Sequence, residues 1–230
     1  MASNEGTEPN SEPTAPQHRK GPDDAPPTKR GRKTRDALVS AARELFEERG
    51  YRETRISDIA ERSGTSYGTF YHYFETKEDV LHALFTTVAG EMFTASQAGR
   101  DVPDDPIARI EAATRKYFAA AGRNAWLIAV IDETALRDNH FRDLKLQLRE
   151  VFLRRNEAGI RRLQEQGLVD PGLDPTIVSA ALGGMVEHFT QMWYVHGVRF
   201  DEEAALRTLT TLWANAIGLI ASVPSTATAS

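Results

Sequence analysis

The run Ile56-Ser57-Asp58-Ile59-Ala60-Glu61-Arg62-Ser63-Gly64-Thr65-Ser66-Tyr67-Gly68-Thr69-Phe70-Tyr71-His72-Tyr73-Phe74 decides how this chain is read. Ile56, Ile59 and Ala60 form an apolar stripe at helical spacing, and Phe70 and Phe74 repeat it four residues apart. Two short helices that cross steeply need a small residue where they touch and a turn residue tolerant of positive φ; Ala60 and Gly64 supply them. The pattern predicts a helix-turn-helix. Its outer set is Ser66, Tyr67, Gly68, Thr69, Tyr71, His72 and Tyr73, which are hydroxyls, an imidazole and bare backbone suited to phosphate oxygens and base edges. A helical hairpin inside an ordinary core is the plain alternative, but such a hairpin would bury its aromatics rather than place three tyrosines within seven residues of one short helix.

Working outward, Ser66 is placed to cap the second helix, and Thr76 to cap the next one with Asp79 three residues on. Upstream, Arg35 to Arg49 reads as a supporting helix with Leu38, Ala41, Ala42, Leu45 and Phe46 on one face and Gly50 as its stop. Thr54 is expected to cap the first helix of the pair, leaving its hydroxyl and Arg55 near a phosphate. Five of the seven residues from Lys29 to Arg35 are basic, Arg32 and Lys33 among them. They are expected to act as an arm along the phosphate backbone or into the minor groove, with a solvated linker as the alternative.

The segment from Ala42 to Leu84 resembles the DNA-binding domain of the TetR family of bacterial transcriptional regulators. The matching elements are Ala41-Ala42-Arg43-Glu44-Leu45-Phe46, Gly50-Tyr51-Arg52-Glu53-Thr54, Ile56 to Ala60, Gly64 to Phe74, and Thr76-Lys77-Glu78-Asp79-Val80-Leu81. Arg55 stands where a second threonine is common, and Tyr67 where the residue varies with the operator. The resemblance implies that Tyr71 and Lys77 contact phosphates and that Tyr67 and His72 influence base preference. It further implies a homodimer on a double-stranded DNA operator, and an all-α fold whose second domain binds a ligand and dimerises through its last two long helices.

Composition agrees with a cytoplasmic nucleic-acid-binding regulator. The net charge is −5, yet Lys29 to Lys77 holds eleven Lys or Arg against eight Asp or Glu, so positive charge gathers beside the reading helix. There is no cysteine, so disulfides and thiolate metal sites are excluded. No apolar run approaches the roughly 18 residues of a membrane span. Residues 1–27, rich in Pro, Glu, Ser, Thr and Asp, are predicted to be disordered. The expected organisation is a tail with a basic arm over 1–33, the helix-turn-helix domain over 34–80, a helical ligand-binding and dimerisation domain over 81–222, and a second tail over 223–230.

Beyond the head, a connector helix is expected from Lys77 to about Met92. Further helices follow over 107–120, 125–136, 141–166 and 176–196, and a last one runs from Glu202 to about Ala221. Ala180, Ala181, Gly183 and Gly184 suggest a facing backbone packed closely on the penultimate helix. The last helix offers Leu206, Leu209, Leu212, Trp213, Ala216, Ile217 and Ile220, a broad apolar face that fits either a dimer interface or an internal core.

Tyr117, Phe118, Trp126, Phe152, Met185, Phe189 and Trp193 are the candidates for lining a ligand cavity, with Met192 and Tyr194 beside them. Such a stripe is core more often than pocket. With this lining the ligand is expected to be an apolar small molecule met by few charges. Asp132 and Glu133 lie in an otherwise apolar helix, to be answered by an arginine such as Arg142 or Arg149, or by the ligand. Glu187 and His188 are polar groups on an otherwise apolar helix, expected either to cross the dimer interface or to face a cavity. No nucleophile elbow, zinc-protease motif, phosphate loop or histidine cluster is present, so no enzyme activity, cofactor or metal is expected. A ligand-released repressor is the leading function, and a helical carrier or an architectural DNA-binding protein without switching is the alternative.

Overall fold

The computed structural model describes residues 28–99 and 102–219. The predicted tails over 1–27 and 223–230, together with Ile220 and Ala221 at the expected end of the last helix, lie outside the described residues. Within them the chain is all-α. The helices are α1 (Lys29–Arg49), α2 (Ile56–Arg62), α3 (Tyr67–Tyr73), α4 (Lys77–Ala95), α5 (Pro106–Arg123), α6 (Ala125–Ala135), α7 (Asn139–Glu165), α8 (Pro175–Thr190) and α9 (Glu202–Ala216), with a π turn, Gln191–Val195, continuing α8.

Local chemistry sets most of these ends. Thr76 Oγ1 accepts from the Asp79 amide at 3.1 Å while the Asp79 carboxylate accepts from the Thr76 amide at 2.9 Å, the reciprocal pair expected at the start of α4. Asp105, Asp174 and Asp201 cap α5, α8 and α9, with proline at the first position of α5 and α8. Thr28 does the same for α1, accepting from Gly31 at 3.0 Å, so the helix begins two turns earlier than its apolar stripe suggests. Arg32 and Lys33 are therefore exposed residues on α1 rather than members of an extended arm. The last helix stops at Ala216 because Gly218 turns the chain at φ +76°.

One apolar core runs through the head and into the second domain. It gathers Leu38, Leu45 and Phe46 of α1, Ile59 of α2, Phe70 of α3, Val80, Leu81, Leu84 and Val88 of α4, then Ala120, Leu127, Ile131 and Phe141 from α5, α6 and α7. Two smaller clusters follow. Ile160, Val169, Ala214 and Ile217 close the far end of the bundle, and Phe118 packs against Ala205, Leu206 and Leu209 of α9.

α8 lies along α7, and α7 side chains fill the space over its glycines. A methyl group at Gly183 would stand 3.4 Å from Leu153 Cδ2, and one at Gly184 would stand 3.2 Å from an Arg149 guanidinium nitrogen. The small residues make room for long α7 side chains. Ala180 and Ala181 are exposed.

Candidate DNA-reading face and internal cavity

In the head, α2 and α3 cross over the turn 63–66, where Gly64 takes φ +69° and the Thr65 amide donates back to the Ala60 carbonyl at 2.9 Å. Ser66 caps α3 by accepting from the Thr69 amide at 3.1 Å. Ile59, Ala60, Phe70 and Phe74 point inward and are almost fully buried. What remains outside is Ser66, Tyr67, Gly68, Tyr71 and His72, with Thr69 and Tyr73 half-buried; Tyr73 leans on the core. Tyr67 is 55% and Tyr71 43% exposed, unusual for rings of this size in a folded monomer. Their rings meet edge to face at 5.0 Å and their hydroxyls lie 3.0 Å apart, which pushes the Tyr71 hydroxyl above its ordinary range. The pair forms a polar ridge on α3.

Two residues expected at phosphates point inward. Thr54 is buried, its hydroxyl donating to the carbonyls of Gly50 at 2.9 Å and Leu45 at 3.3 Å, so it ties down the α1–α2 loop and does not cap α2. The backbone of Arg55 forms that cap instead, its amide donating to Asp58 at 3.3 Å, and its side chain is exposed. Lys77 donates to the carbonyls of Tyr51, Arg52 and Thr54 at 2.8, 3.2 and 3.0 Å, which accounts for all three ammonium protons. Burial pushes this ammonium below the usual lysine range, and it sits 4.5 Å from the Tyr51 ring centroid. Arg62 is clipped to Glu44 and Glu48 of α1.

The second domain holds a partly open cavity of about 240 Å³ between α4, α5, α6, α7, α8, α9 and the π turn. Of the seven expected lining residues, only Tyr117 and Phe152 reach it, joined by Tyr194. Phe118 is fully buried elsewhere, stacked on Phe189 at 6.0 Å and edge-on to Trp193 at 5.5 Å, so that with Met185 these residues hold α9 to α5. Trp126 packs on the main core. The cavity wall is instead built from Phe85 and Met92 of α4, Ile110 and Ala113 of α5, Ile128 and Ile131 of α6, and Leu148 and Leu153 of α7.

The wall also carries more charge than expected. Lys145, Arg149, Arg155, Asp132 and Glu187 all border the cavity. Asp132 is answered by Lys145 at 2.5 Å and by Gln191 at 3.1 Å, not by an arginine. Glu187 pairs with Arg149 at 3.0 Å, while Glu133 leaves the domain to pair with Arg52 of the head. Burial, with Glu187 nearby, pushes the Tyr117 hydroxyl up to about 12, so it faces the cavity as a neutral group. The missed signal was the phase of α7: Lys145, Arg149, Phe152 and Asn156 follow one another at 4, 3 and 4 residues, polar groups on the inward face of an amphipathic helix. Among the described residues no three His, Asp or Glu side chains are grouped to hold a metal, and no helix is long and apolar enough to cross a membrane.

A helix-turn-helix head, continuous through α4 and a shared core with a helical domain that holds a cavity, defines a DNA-binding regulator. Residues 38–84, the DNA-binding head, match the family model described as bacterial regulatory proteins, tetR family. The chain is 24% identical over 170 residues to the fatty acid metabolism regulator protein of Bacillus subtilis, covering 71% of this chain and 85% of that one. It is 26% identical over 150 residues to the transcriptional repressor KstR2 of Mycobacterium tuberculosis, covering 63% and 73%. Among solved structures, FadR from Bacillus subtilis in complex with stearoyl-CoA superposes with a TM-score of 0.63 at 21% identity, covering 81% of this chain and 99% of that one. These relatives are transcriptional regulators.

Proposed function

We propose that this protein is a homodimeric, sequence-specific repressor, released from its operator when an apolar small molecule enters the cavity of the second domain. The observation that carries this reading is the span of α4. Its first turns are built into the head, where Lys77 holds the α1–α2 loop and Val80, Leu81 and Leu84 enter the core. Its later turns, through Phe85, Ala89 and Met92, are cavity wall. A ligand that prefers a shifted α4 therefore changes where α3 sits, and only such a difference in affinity between two arrangements can move the equilibrium.

In the dimer, two copies of α3 would enter successive major grooves about 34 Å apart on a near-palindromic site. Tyr67 and His72 would read base edges, with Tyr71, Ser66 and Thr69 at phosphates. Arg32, Lys33 and Arg55 would add backbone charge from exposed positions. The dimer would form through α8 and α9, whose outer faces carry Ile177, 67% exposed, Ala180 and Ala181 on one and Leu212, 48% exposed, on the other. The relative solved with stearoyl-CoA supports a ligand with a long apolar part. As a regulator of this kind the protein would work in the cytoplasm without enzymatic activity.

Footprinting on the promoter of the chain's own gene, repeated with hydrophobic ligands, tests the proposal. Protection of a near-palindrome that is lost on adding a ligand is the expected result. Protection that no ligand alters would favour a constitutive repressor or architectural protein, and no protected site at all would favour a helical carrier.

A further inference from the structure

We propose that Arg155 is the anion anchor of the cavity: it takes the carboxylate or phosphate oxygen of an otherwise apolar ligand, and in doing so loosens its hold on the end of α4. The proposal rests on reading the cavity as the ligand site, and it adds the chemical class of the ligand and the point at which binding is felt. It starts from charge balance. Three cations and two carboxylates border the cavity, and Lys145 with Asp132 and Arg149 with Glu187 account for four of them. Arg155 is left over. Among the described residues no carboxylate comes within 4.0 Å of it.

What holds Arg155 instead is weaker. Its Nη1 donates to the Phe93 carbonyl at 2.9 Å and to Ser96 Oγ at 3.1 Å. Its guanidinium lies 4.7 Å from the centroid of Phe93 and 5.4 Å from that of Phe152. Two rings and the negative end of a helix dipole offset part of the cost of placing a cation here. Burial nevertheless pushes the guanidinium below its ordinary value, as it does for a charge without a counter-ion. A guanidinium has five N–H donors in a fixed fork, and the protein engages those of Nη1. The others suit a planar carboxylate or a phosphate, which arginine binds through two parallel bonds.

The position supplies the coupling. Phe93 lies in the last turn of α4, and Ser96 is its fully buried C-cap. Arg155 thus ties α7 to the far end of the helix whose near end carries Lys77. An anion that draws the guanidinium toward the cavity stretches its bonds to Phe93 and Ser96 and frees that end of α4.

The test compares probes that share an apolar body and differ in the head: decanoate, decan-1-ol, methyl decanoate and decanoyl-CoA. Each is titrated by calorimetry into the full chain, and operator affinity is measured with and without it, for wild type, Arg155→Met and Arg155→Lys. Wild type should bind decanoate or decanoyl-CoA at least about 10-fold more tightly than the alcohol and ester, in line with a charge-assisted bond. Arg155→Met should bring the heads within about threefold of each other, and Arg155→Lys should lie between; the lysine variant keeps the charge should the methionine variant fold poorly. At saturating probe, the ratio of operator affinities without and with ligand should fall toward one in Arg155→Met. Dependence on Arg155 for decanoate identifies a carboxylate, and for decanoyl-CoA alone a phosphate. If decan-1-ol binds as tightly as the anions and releases the operator as well, ligand release stands and the anchor falls. An anion preference that survives Arg155→Met also overturns the anchor, and failure of every probe to bind overturns both readings.

Discussion

In the head the large side chains are sealed: Phe46, Phe70, Leu38, Leu45 and Ile59 each keep no more than 2% of their surface exposed, and Arg62 and Lys77 are clipped to carboxylates and carbonyls. In the second domain the walls stop short of one another, a cavity of about 240 Å³ remains, and five charged side chains turn toward it. The two regions use the same helices and the same residue types for different ends. Under the proposed function a reading head must hold a fixed shape against DNA, and its large side chains are sealed accordingly. Under the same reading a sensor must have a second arrangement within reach, which an unfilled, partly charged interior would allow.

The largest expected difference between the regions is in what a truncated phenylalanine costs. Phe70→Ala empties a sealed site and should lower stability by about 3–5 kcal/mol, abolishing operator binding, whereas Phe152→Ala, already beside empty space, should cost less than half as much in urea unfolding. Equal costs would erase the contrast. Next is Lys77→Met, which breaks three hydrogen bonds to the α1–α2 loop and leaves carbonyls unpaired; a loss of about 1–3 kcal/mol is expected. That loss should persist at high salt, because the role of Lys77 is to hold the loop. A salt slope of operator binding reduced by about one unit per site, with stability unchanged, would restore it to a phosphate contact.

Tyr67→Ala should leave the unfolding midpoint within about 0.5 kcal/mol, as exposed positions do, while changing base preference by about 1–3 kcal/mol at one operator position. Tyr71→Phe should instead weaken specific and non-specific binding in the same ratio, and a matching pattern for the two tyrosines would overturn their separate roles. Arg52→Ala removes an exposed ion pair between head and second domain. It should shift stability by no more than about 1 kcal/mol, and by less in high salt.

The head was legible because its signals are local. Gly64 in the turn, Ser66 three residues before Thr69 and Thr76 three before Asp79 each fix a piece of backbone within a few residues, and all three stand as read. Thr54 and Lys77 misled because their partners are set by the fold: the Lys77 ammonium meets the Tyr51 carbonyl across 26 residues of chain. The start of α1 was obscured by the basic run, although Thr28 stood before it as a cap. In the second domain an aromatic stripe shows that a face is buried but not against what. Phe118, Phe189 and Trp193 bury themselves in the seam with α9, while the cavity falls to residues of less conspicuous type such as Ala113, Leu148 and Asn156. The charged residues on the inward phase of α7 were the better guide.

The continuous core has a consequence for how such regulators can be recombined. Phe46 and Phe70 belong to the same apolar cluster as Leu127 and Phe141, and α4 contributes to both ends of it. No seam exists at which one module could be exchanged as a cassette, and the boundary near residue 80 suggested by sequence would cut α4 within its first turn. A hybrid that grafts this reading head onto a foreign sensor has to carry the whole of α4 and match the α5–α6 surface beneath it. Under the proposed function, specificity and sensing are therefore inherited together through α4 and the shared core, and variation that retunes the cavity is screened at once for its effect on the shape presented to DNA.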